Sequence, residues 1–212
     1  MRKITHVVNV GGVKVGGNNP IVVQSMTDSD TSDINKTVNQ IEELYNAGSE
    51  IVRVTVNNVE SAKAISKIKP ILSDKGINVP IIGDFHFIGH KILRTVPECA
   101  ENLDKYRINP GNLGSGNRKD DNFKTFIDIA KDLDKPVRIG VNAGSLDQEL
   151  LDLKMEENNR LRVPKSAEEV ESDALISSAI ISYQKAIDYG LSKNNIIISC
   201  KESRLNQKVH CY

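Results

Sequence analysis

The chain is organised by a repeat of strand and helix patterns. The first five apolar runs of strand length begin roughly 25 to 31 residues apart, and a helical stretch follows each of them, as in the βα repeat of a parallel sheet. Aromatic residues make up 4% of the chain and Trp is absent, whereas Ile, Val and Leu are plentiful, which suits strands that are covered by helices. We predict strands at residues 20–26, 51–56, 80–87, from 105 to the turn at Pro110-Gly111, from 136 onward and at 196–200.

The stretches between these strands carry apolar residues at helical spacing. Pro97 should end or kink the helix that follows the third strand, because proline lacks the backbone N–H that a helix needs. The motif SAEE at 166–169 is a capping box, and it predicts a long helix that Gly190 closes. Three further helices are predicted from apolar residues that fall on one helix face: Ile34, Val38, Ile41 and Leu44; Ala62, Ile65 and Ile68; and Phe123, Phe126, Ile127 and Ala130.

Four segments depart from this rhythm. Residues 7–17 alternate apolar residues with Gly, which predicts a small hairpin at the bottom of a barrel. The stretch LGSGNRKD, at 113–120, is predicted to be a loop, and the charged residues 146–164 an insertion on the active face. Residues 202–212 show neither a strand nor a helix period, so we expect a divergent tail there.

Five of the apolar runs end in polar side chains of one parity. Side chains two residues apart in a strand point to the same side of the sheet. In a sheet closed into a barrel these ends meet at one opening, called the mouth below. The pattern predicts an α/β fold, a (β/α)₈ TIM barrel that is incomplete because six of its eight strands are found. The polar ends are Arg53 and Thr55, Asp84 and His86, Arg107 and Asn109, Arg138 and Asn142, and Ser199 and Lys201.

The charges of the predicted mouth point to an anionic ligand. A single Arg in a strand is more often solvated or paired with a carboxylate. Here three Arg and a Lys stand against one carboxylate, that of Asp84, and buried cations without counter-charge cost several kcal/mol each. Guanidinium groups bind phosphate oxygens through paired hydrogen bonds, so several of them favour a ligand with more than one phosphoryl group.

His86 has two interpretations. Alone it would be a core histidine with satisfied hydrogen bonds, whereas beside Asp84 it can donate to an anion or a hydroxyl. A metal site is not predicted, because an Asp and a His lack a third ligand. The sequence shows no Ser-His-Asp or Cys-His arrangement either.

Composition excludes several classes of function. Lys plus Arg and Asp plus Glu number 28 each, so the formal charge is zero and a nucleic-acid surface is not expected. No apolar run reaches the roughly 18 residues of a membrane span, and we expect a cytoplasmic protein without membrane contact. Cys99, Cys200 and Cys211 form neither a C-x-x-C pair nor a disulfide framework, and Cys200 suits packing better than chemistry.

Six motifs resemble one family, in order along the chain: PIVVQSMT, IVRVTV, DFHF, YRINPGN, RIGVNAGSL and SCK. They are similar to the N-terminal barrel domain of 4-hydroxy-3-methylbut-2-enyl diphosphate synthase, of the methylerythritol phosphate route to isoprenoids. The resemblance covers nearly everything up to Lys201. It implies reductive ring opening and dehydration of 2-C-methyl-D-erythritol 2,4-cyclodiphosphate by an oxidoreductase of the iron–sulfur reductive dehydratase type.

The resemblance also implies roles for residues of the mouth. Diphosphate-binding residues would be Arg53, Arg107, Arg138, Ser145 and Lys201, and catalytic residues lining the pocket would be Asp84, His86, Asn109 and Asn142. In the full-length family a [4Fe-4S] cluster, held by three Cys and a Glu of a separate C-terminal domain, supplies the electrons. Flavodoxin or ferredoxin would be the donor, and a homodimer is expected.

The chain departs from this pattern after Lys201. We expect residues 1–201 to be an incomplete substrate-binding barrel, with the iron–sulfur domain and its cluster ligands absent. The chain would then be a truncated member or one half of a split protein, inactive without a cluster-bearing partner. Two alternatives remain open: an inactive relic or diphosphate-binding module without catalysis, and an unrelated phosphate-using barrel such as a pterin-condensing synthase.

Overall fold

The computed structural model describes residues 4–113 and 116–212, and at residues 116 and 117 it describes the backbone alone. An antiparallel hairpin comes first, with strands β1 (Val7–Val10) and β2 (Val13–Gly16). The hairpin predicted at 7–17 is therefore confirmed. Its turn lies against the segment that leads into a later strand, since a Cβ at Gly11 would come within 3.0 Å of the Pro80 ring.

A parallel sheet of six strands curls into a half-barrel behind the hairpin, so the predicted TIM-barrel class is confirmed. The strands pair in chain order, which leaves β3 and β8 at the two edges. They are β3 (Gln24–Met26), β4 (Ile51–Val56), β5 (Ile81–Phe85), β6 (Lys105–Ile108), β7 (Val137–Asn142) and β8 (Ile196–Lys201).

Two strands are shorter than predicted. The first was expected at 20–26, but Ile21 is 83% exposed and the backbone N–H of Val23 bonds to the carboxylate of Glu50 instead of entering the strand pairing. The third was expected to reach residue 87, but His86 lies beyond β5, because its carbonyl already accepts from Gly89 N in the turn to the next helix.

The described residues form eight α-helices: α1 (Ile34–Asn46), α2 (Val59–Asp74), α3 (Gly89–Thr95), α4 (Pro97–Asn102), α5 (Gly116–Asp132), α6 (Gln148–Asn159), α7 (Ala167–Asp188) and α8 (Leu205–Cys211). Pro97 divides α3 from α4, as predicted, and occupies the first turn of α4, where no N–H is needed. Ser166 and Glu169 form the predicted capping box of α7. The core lies between sheet and helices, where the rings of Phe85, Tyr106 and Phe126 meet edge to face.

Three segments that were expected to be irregular contain helices. The insertion at 146–164 holds α6, whose first turn is capped by the Asp147 carboxylate. The loop predicted at 113–120 ends early because α5 begins at residue 116, and residues 114 and 115 lie outside the described residues.

The tail expected to lack structure holds α8. Arg204 fixes its start through ion pairs to Glu168 (2.7 Å) and Glu171 (2.8 Å) of α7. The sequence of this helix shows no sustained apolar face. Its apolar residues Leu205 and Val209 are largely exposed in the structure. Its position is set by charges on a neighbouring helix, which a local sequence pattern does not show.

Candidate functional site

Strand register brings the predicted site residues onto one face of the sheet. Asp84 of β5 is the register partner of Thr55 on β4 and of Arg107 on β6, and Arg107 in turn is the partner of Arg138 on β7. Register partners in a parallel sheet project on the same side. The concave face of the half-barrel therefore carries a row of polar side chains at the carboxyl ends of its strands, and this row is the mouth.

Asp84 is the centre of the mouth. The residue is 3% exposed, and its carboxylate accepts a hydrogen bond from Arg107 Nη1 at 3.0 Å. Arg53 Nε lies 3.6 Å from its other oxygen, and His86 Nε2 lies 4.0 Å from the first. One carboxylate is thus shared between two guanidinium groups, so the pair of arginines is held in place but not neutralised.

Arg107 is set against a glycine of the next strand. A Cβ at Gly140 would lie 3.0 Å from Arg107 Nε and 3.3 Å from Ser199 Oγ. The small residue leaves room for the guanidinium on the concave face. Arg107 Nε is buried, and no hydrogen-bond acceptor reaches it among the described residues. A buried N–H of this kind costs free energy until an acceptor binds it.

Arg138 adds a second under-compensated cation. No carboxylate of the described residues lies within ion-pair distance of it. Burial, followed by the charges of Arg53 and Arg107, lowers the pKa of Arg138, and the nearby Tyr212 and Asp84 offset this only in part. The environment of Arg138 therefore disfavours positive charge, and an anion in the mouth would relieve it.

Two turns after the strands build the rim of the mouth. Asn109 Nδ2 donates to Ser145 Oγ at 2.7 Å, and Asn109 Oδ1 accepts from Gly111 N at 3.0 Å. Asn142 Oδ1 accepts from Gly144 N at 3.1 Å. A Cβ at Gly111 would overlap the Ser145 carbonyl oxygen, so only glycine lets the two turns pack together. Both asparagines therefore stabilise the turns that form the rim.

Lys201 and His86 lie at the margins. Lys201 ends the edge strand β8 as the register partner of Asn142, on the face that carries the mouth, and its side chain is exposed. His86 follows β5, and its side chain is 36% exposed. Of the nine predicted residues, the structure groups Arg53, Asp84, Arg107 and Arg138 most tightly, with Asn109, Asn142 and Ser145 on the rim.

Sequence reasoning missed three residues of the concave face: Gly140, Met26 and Lys105. Both Nε and Nη2 of Arg53 lie within 3.2 Å of the Met26 sulfur. Lys105, two residues before Arg107 and on the same face, is 3% exposed, and its Nζ lies 3.5 Å from Gln24 Oε1. Its parity with Arg107 was the signal that could have revealed it.

The described residues do not fit a metal cluster. No three His, Cys, Asp or Glu side chains among them are placed to hold a metal ion. Cys99 lies in the apolar core, and burial raises the pKa of its thiol to about 12. Burial also raises the pKa of Cys200, to about 11. These thiols do not supply the thiolates that iron–sulfur clusters require.

A protein-family model described as the GcpE TIM-barrel domain matches residues 5–212. The chain belongs to the GcpE family. The family barrel is the N-terminal domain of 4-hydroxy-3-methylbut-2-enyl diphosphate synthase, and the resemblance found in the sequence is confirmed. The family is of oxidoreductase type and belongs to isoprenoid synthesis. The GcpE match includes residues 202–212, and the division of the chain at residue 201 stays a prediction.

Solved structures show the same fold as this GcpE barrel. Burkholderia cenocepacia dihydropteroate synthase has a TM-score of 0.59 at 10% identity, over 93% of this chain and 64% of that one. The Plasmodium falciparum HPPK-DHPS structure gives 0.61 at 9%, over 97% and 35%. A truncated 3-deoxy-D-arabino-heptulosonate 7-phosphate synthase from Thermotoga maritima gives 0.53 at 15%, over 95% and 60%. The chain therefore spans less than two thirds of each of these structures.

None of the described helices combines the length and apolar character that a membrane crossing needs.

Proposed function

We propose that the mouth binds the diphosphate of 2-C-methyl-D-erythritol 2,4-cyclodiphosphate, and that this chain is the substrate-binding barrel of 4-hydroxy-3-methylbut-2-enyl diphosphate synthase. The observation that carries the proposal is the convergence of Arg53, Arg107 and Arg138 on a concave face where Asp84 is the nearest carboxylate. Family membership supports the choice of substrate.

Two phosphoryl groups fit the arrangement of charges. Arg107 Nε has no acceptor among the described residues, and Arg138 lacks a carboxylate partner there. Phosphoryl oxygens would accept from both, and Lys201 and Ser145 at the margin would add donors. Charge-assisted hydrogen bonds of this kind are about twice as strong as neutral ones. The anion thus supplies acceptors and counter-charge that the fold does not provide.

The remaining residues orient the sugar part of the substrate. Asp84 holds Arg53 and Arg107 at fixed positions, and Asn109 is held by Ser145. The amides of Asn109 and Asn142 would bind ring oxygens. His86, whose Nε2 lies 4.0 Å from the Asp84 carboxylate, would donate a proton to the oxygen that leaves. These residues bind, orient and transfer protons.

Ring opening and loss of water also consume two electrons. A [4Fe-4S] cluster supplies such electrons when it is bound, but the described residues hold no ligand set for one. We assign no electron-transfer step to this chain. The electron donor, flavodoxin or ferredoxin, together with a homodimeric assembly and a cytoplasmic location, belongs to the proposal for the whole protein.

Calorimetric titration with the cyclic diphosphate tests the proposal. We expect binding that the Arg107→Ala and Arg138→Ala variants weaken. Absence of binding in the folded wild-type chain would reject the substrate. Tighter binding of a pterin diphosphate would favour the pterin-condensing alternative, for which likeness of fold at 10% identity is no evidence by itself.

An activity assay separates the enzyme from a binding module without catalysis. The chain is mixed anaerobically with a cluster-bearing C-terminal domain of the same family and a strong one-electron reductant. Formation of the linear allylic diphosphate would support the enzyme. Binding without any turnover in that mixture would identify the chain as a diphosphate-binding module.

A further inference from the structure

Lys105 is a buried amine on the concave face, one layer below the mouth. It is the first residue of β6, and Arg107 follows two positions later on the same face. Its Nζ reaches Gln24 Oε1 of β3, at 3.5 Å. Because β3 and β6 are not neighbours in the sheet, this contact shows that the side chain crosses the interior of the half-barrel.

No carboxylate of the described residues lies within 4.0 Å of Lys105 Nζ. Its hydrogen-bond partner is the uncharged side-chain amide of Gln24. Asp84, on the neighbouring strand, is already engaged by Arg107 and Arg53. A buried ammonium group with a single weak acceptor is strongly disfavoured.

The groups that face Lys105 add repulsion. Burial is the largest cause that lowers the pKa of Lys105, to about 7, and the charges of Arg138 and Arg53 follow. The hairpin below contributes apolar Val8 and Val10. Gln24 on β3 is in contact with the amine, and Arg53 on β4 and Arg138 on β7 act on it through their charge. Asp84 on β5 and Arg107 on β6 lie on the same face two positions further along their strands.

We propose that Lys105 is a positioning residue of the mouth, which takes up a proton when a diphosphate binds the arginines above it. The inference rests on the proposed function, since it requires an anion at that place. Negative charge beside Arg53 and Arg138 cancels their repulsion and attracts the ammonium form. Binding then adds a further cation beneath the ligand.

The sign of the pH dependence follows from this linkage. The pKa of Lys105 is about 7 in the free protein and higher in the complex. Below the free value the amine is protonated in both states, and affinity does not change with pH. Between the two values, affinity falls as pH rises, by up to about tenfold per pH unit for one proton.

Sulfate is a suitable probe, because it keeps both of its charges throughout the neutral range and does not titrate itself. Binding heats are measured roughly one pH unit above the free pKa in buffers of different ionisation enthalpy. The dependence of the heat on the buffer gives the number of protons taken up. We expect uptake approaching about one proton in the wild-type chain and none in Lys105→Met, which keeps the length of the side chain.

Lys135→Met is the matched control. Burial lowers the pKa of Lys135 too, but Lys135 precedes β7 and its Nζ donates to the Glu101 carbonyl of helix α4, not to a side chain of the concave face. Its removal should leave proton uptake unchanged. Uptake that persists in Lys105→Met, or sulfate binding to wild type without uptake, overturns the inference.

A direct titration separates failure of the inference from failure of the proposed function. The ¹³Cε signal of Lys105, assigned by its loss in Lys105→Met, should titrate near pH 7 in the free protein and at higher pH with sulfate. An ordinary lysine midpoint in the free protein overturns the inference and leaves diphosphate binding intact. Absence of any anion binding rejects both.

Discussion

The two ends of the half-barrel interior differ sharply although the same strands build them. At the amino ends, Val8 and Val10 of the hairpin pack on Ile51 and Ile82 in a closed apolar cluster. Two residues further along each strand stand Arg53 and Asp84, at the start of the mouth. The distance between these layers is about 7 Å. The apolar cluster at the bottom is packed in the free protein, with the Lys105 amine at the level of Ile82 as its polar neighbour, whereas the mouth holds cations that the described residues do not balance.

This difference assigns stability to one end and binding to the other. Apolar contacts at the bottom gain free energy as soon as the chain folds. Charges at the mouth cost free energy until a ligand compensates them. Substitutions at the two ends should therefore act on different measured quantities, which the following variants test.

Arg107→Ala should have the largest effect. Removing the guanidinium that bonds Asp84 and faces the ligand should weaken binding of the cyclic diphosphate by about 2–5 kcal/mol, as expected for a buried charged contact. Titration calorimetry measures the loss. Arg162→Ala, at an exposed position of the segment before α7, is the control and should change binding by less than about 0.5 kcal/mol. Equal effects of the two variants would place Arg107 outside the binding site.

Val10→Ala should act at the bottom. The side chain is fully buried, and losing it removes two methyl groups and leaves a cavity, at about 2 kcal/mol of unfolding free energy. Urea unfolding measures the change. Affinity for the diphosphate should stay within about 0.5 kcal/mol of wild type. A large loss of affinity in a folded variant would show that the two ends are coupled, contrary to the comparison.

Gly140→Ala should have the smallest effect, on the mouth alone. The added Cβ would stand 3.0 Å from Arg107 Nε, so the guanidinium must shift by a few tenths of an ångström. We expect binding to weaken by about 1 kcal/mol. Gly144→Ala is the matched control on the rim, because its Cβ would meet Asn142 Oδ1 at an unstrained 3.7 Å. Wild-type affinity in Gly140→Ala would mean that Arg107 does not require this space.

Much of the fold could be predicted because strand parity and helix caps are local signals. The capping box at Ser166 and the proline at 97 mark boundaries that the structure shows at the same places. Helix α8 could not be predicted in this way, because Arg204 anchors it to carboxylates of α7 far away in the sequence. The shorter first strand has a similar cause, since the side chain of Glu50 captures the Val23 N–H.

The arginines of the candidate site could be predicted from parity, because register in a parallel sheet turns equal parity into proximity. Their balance of charge could not be predicted. The sequence does not show that Asp84 serves two arginines, that Gly140 makes room for one of them or that Lys105 crosses the interior to Gln24. Those features depend on distances between strands. The roles of the nine predicted residues in binding and catalysis stay predictions.

A crystal structure of the chain with 2-C-methyl-D-erythritol 2,4-cyclodiphosphate tests the central claim most directly. We predict that phosphoryl oxygens lie within hydrogen-bond distance of Arg53, Arg107 and Arg138 on the concave face, with one of them accepting from Arg107 Nε. A diphosphate bound elsewhere, with the three guanidinium groups unoccupied, would contradict the account.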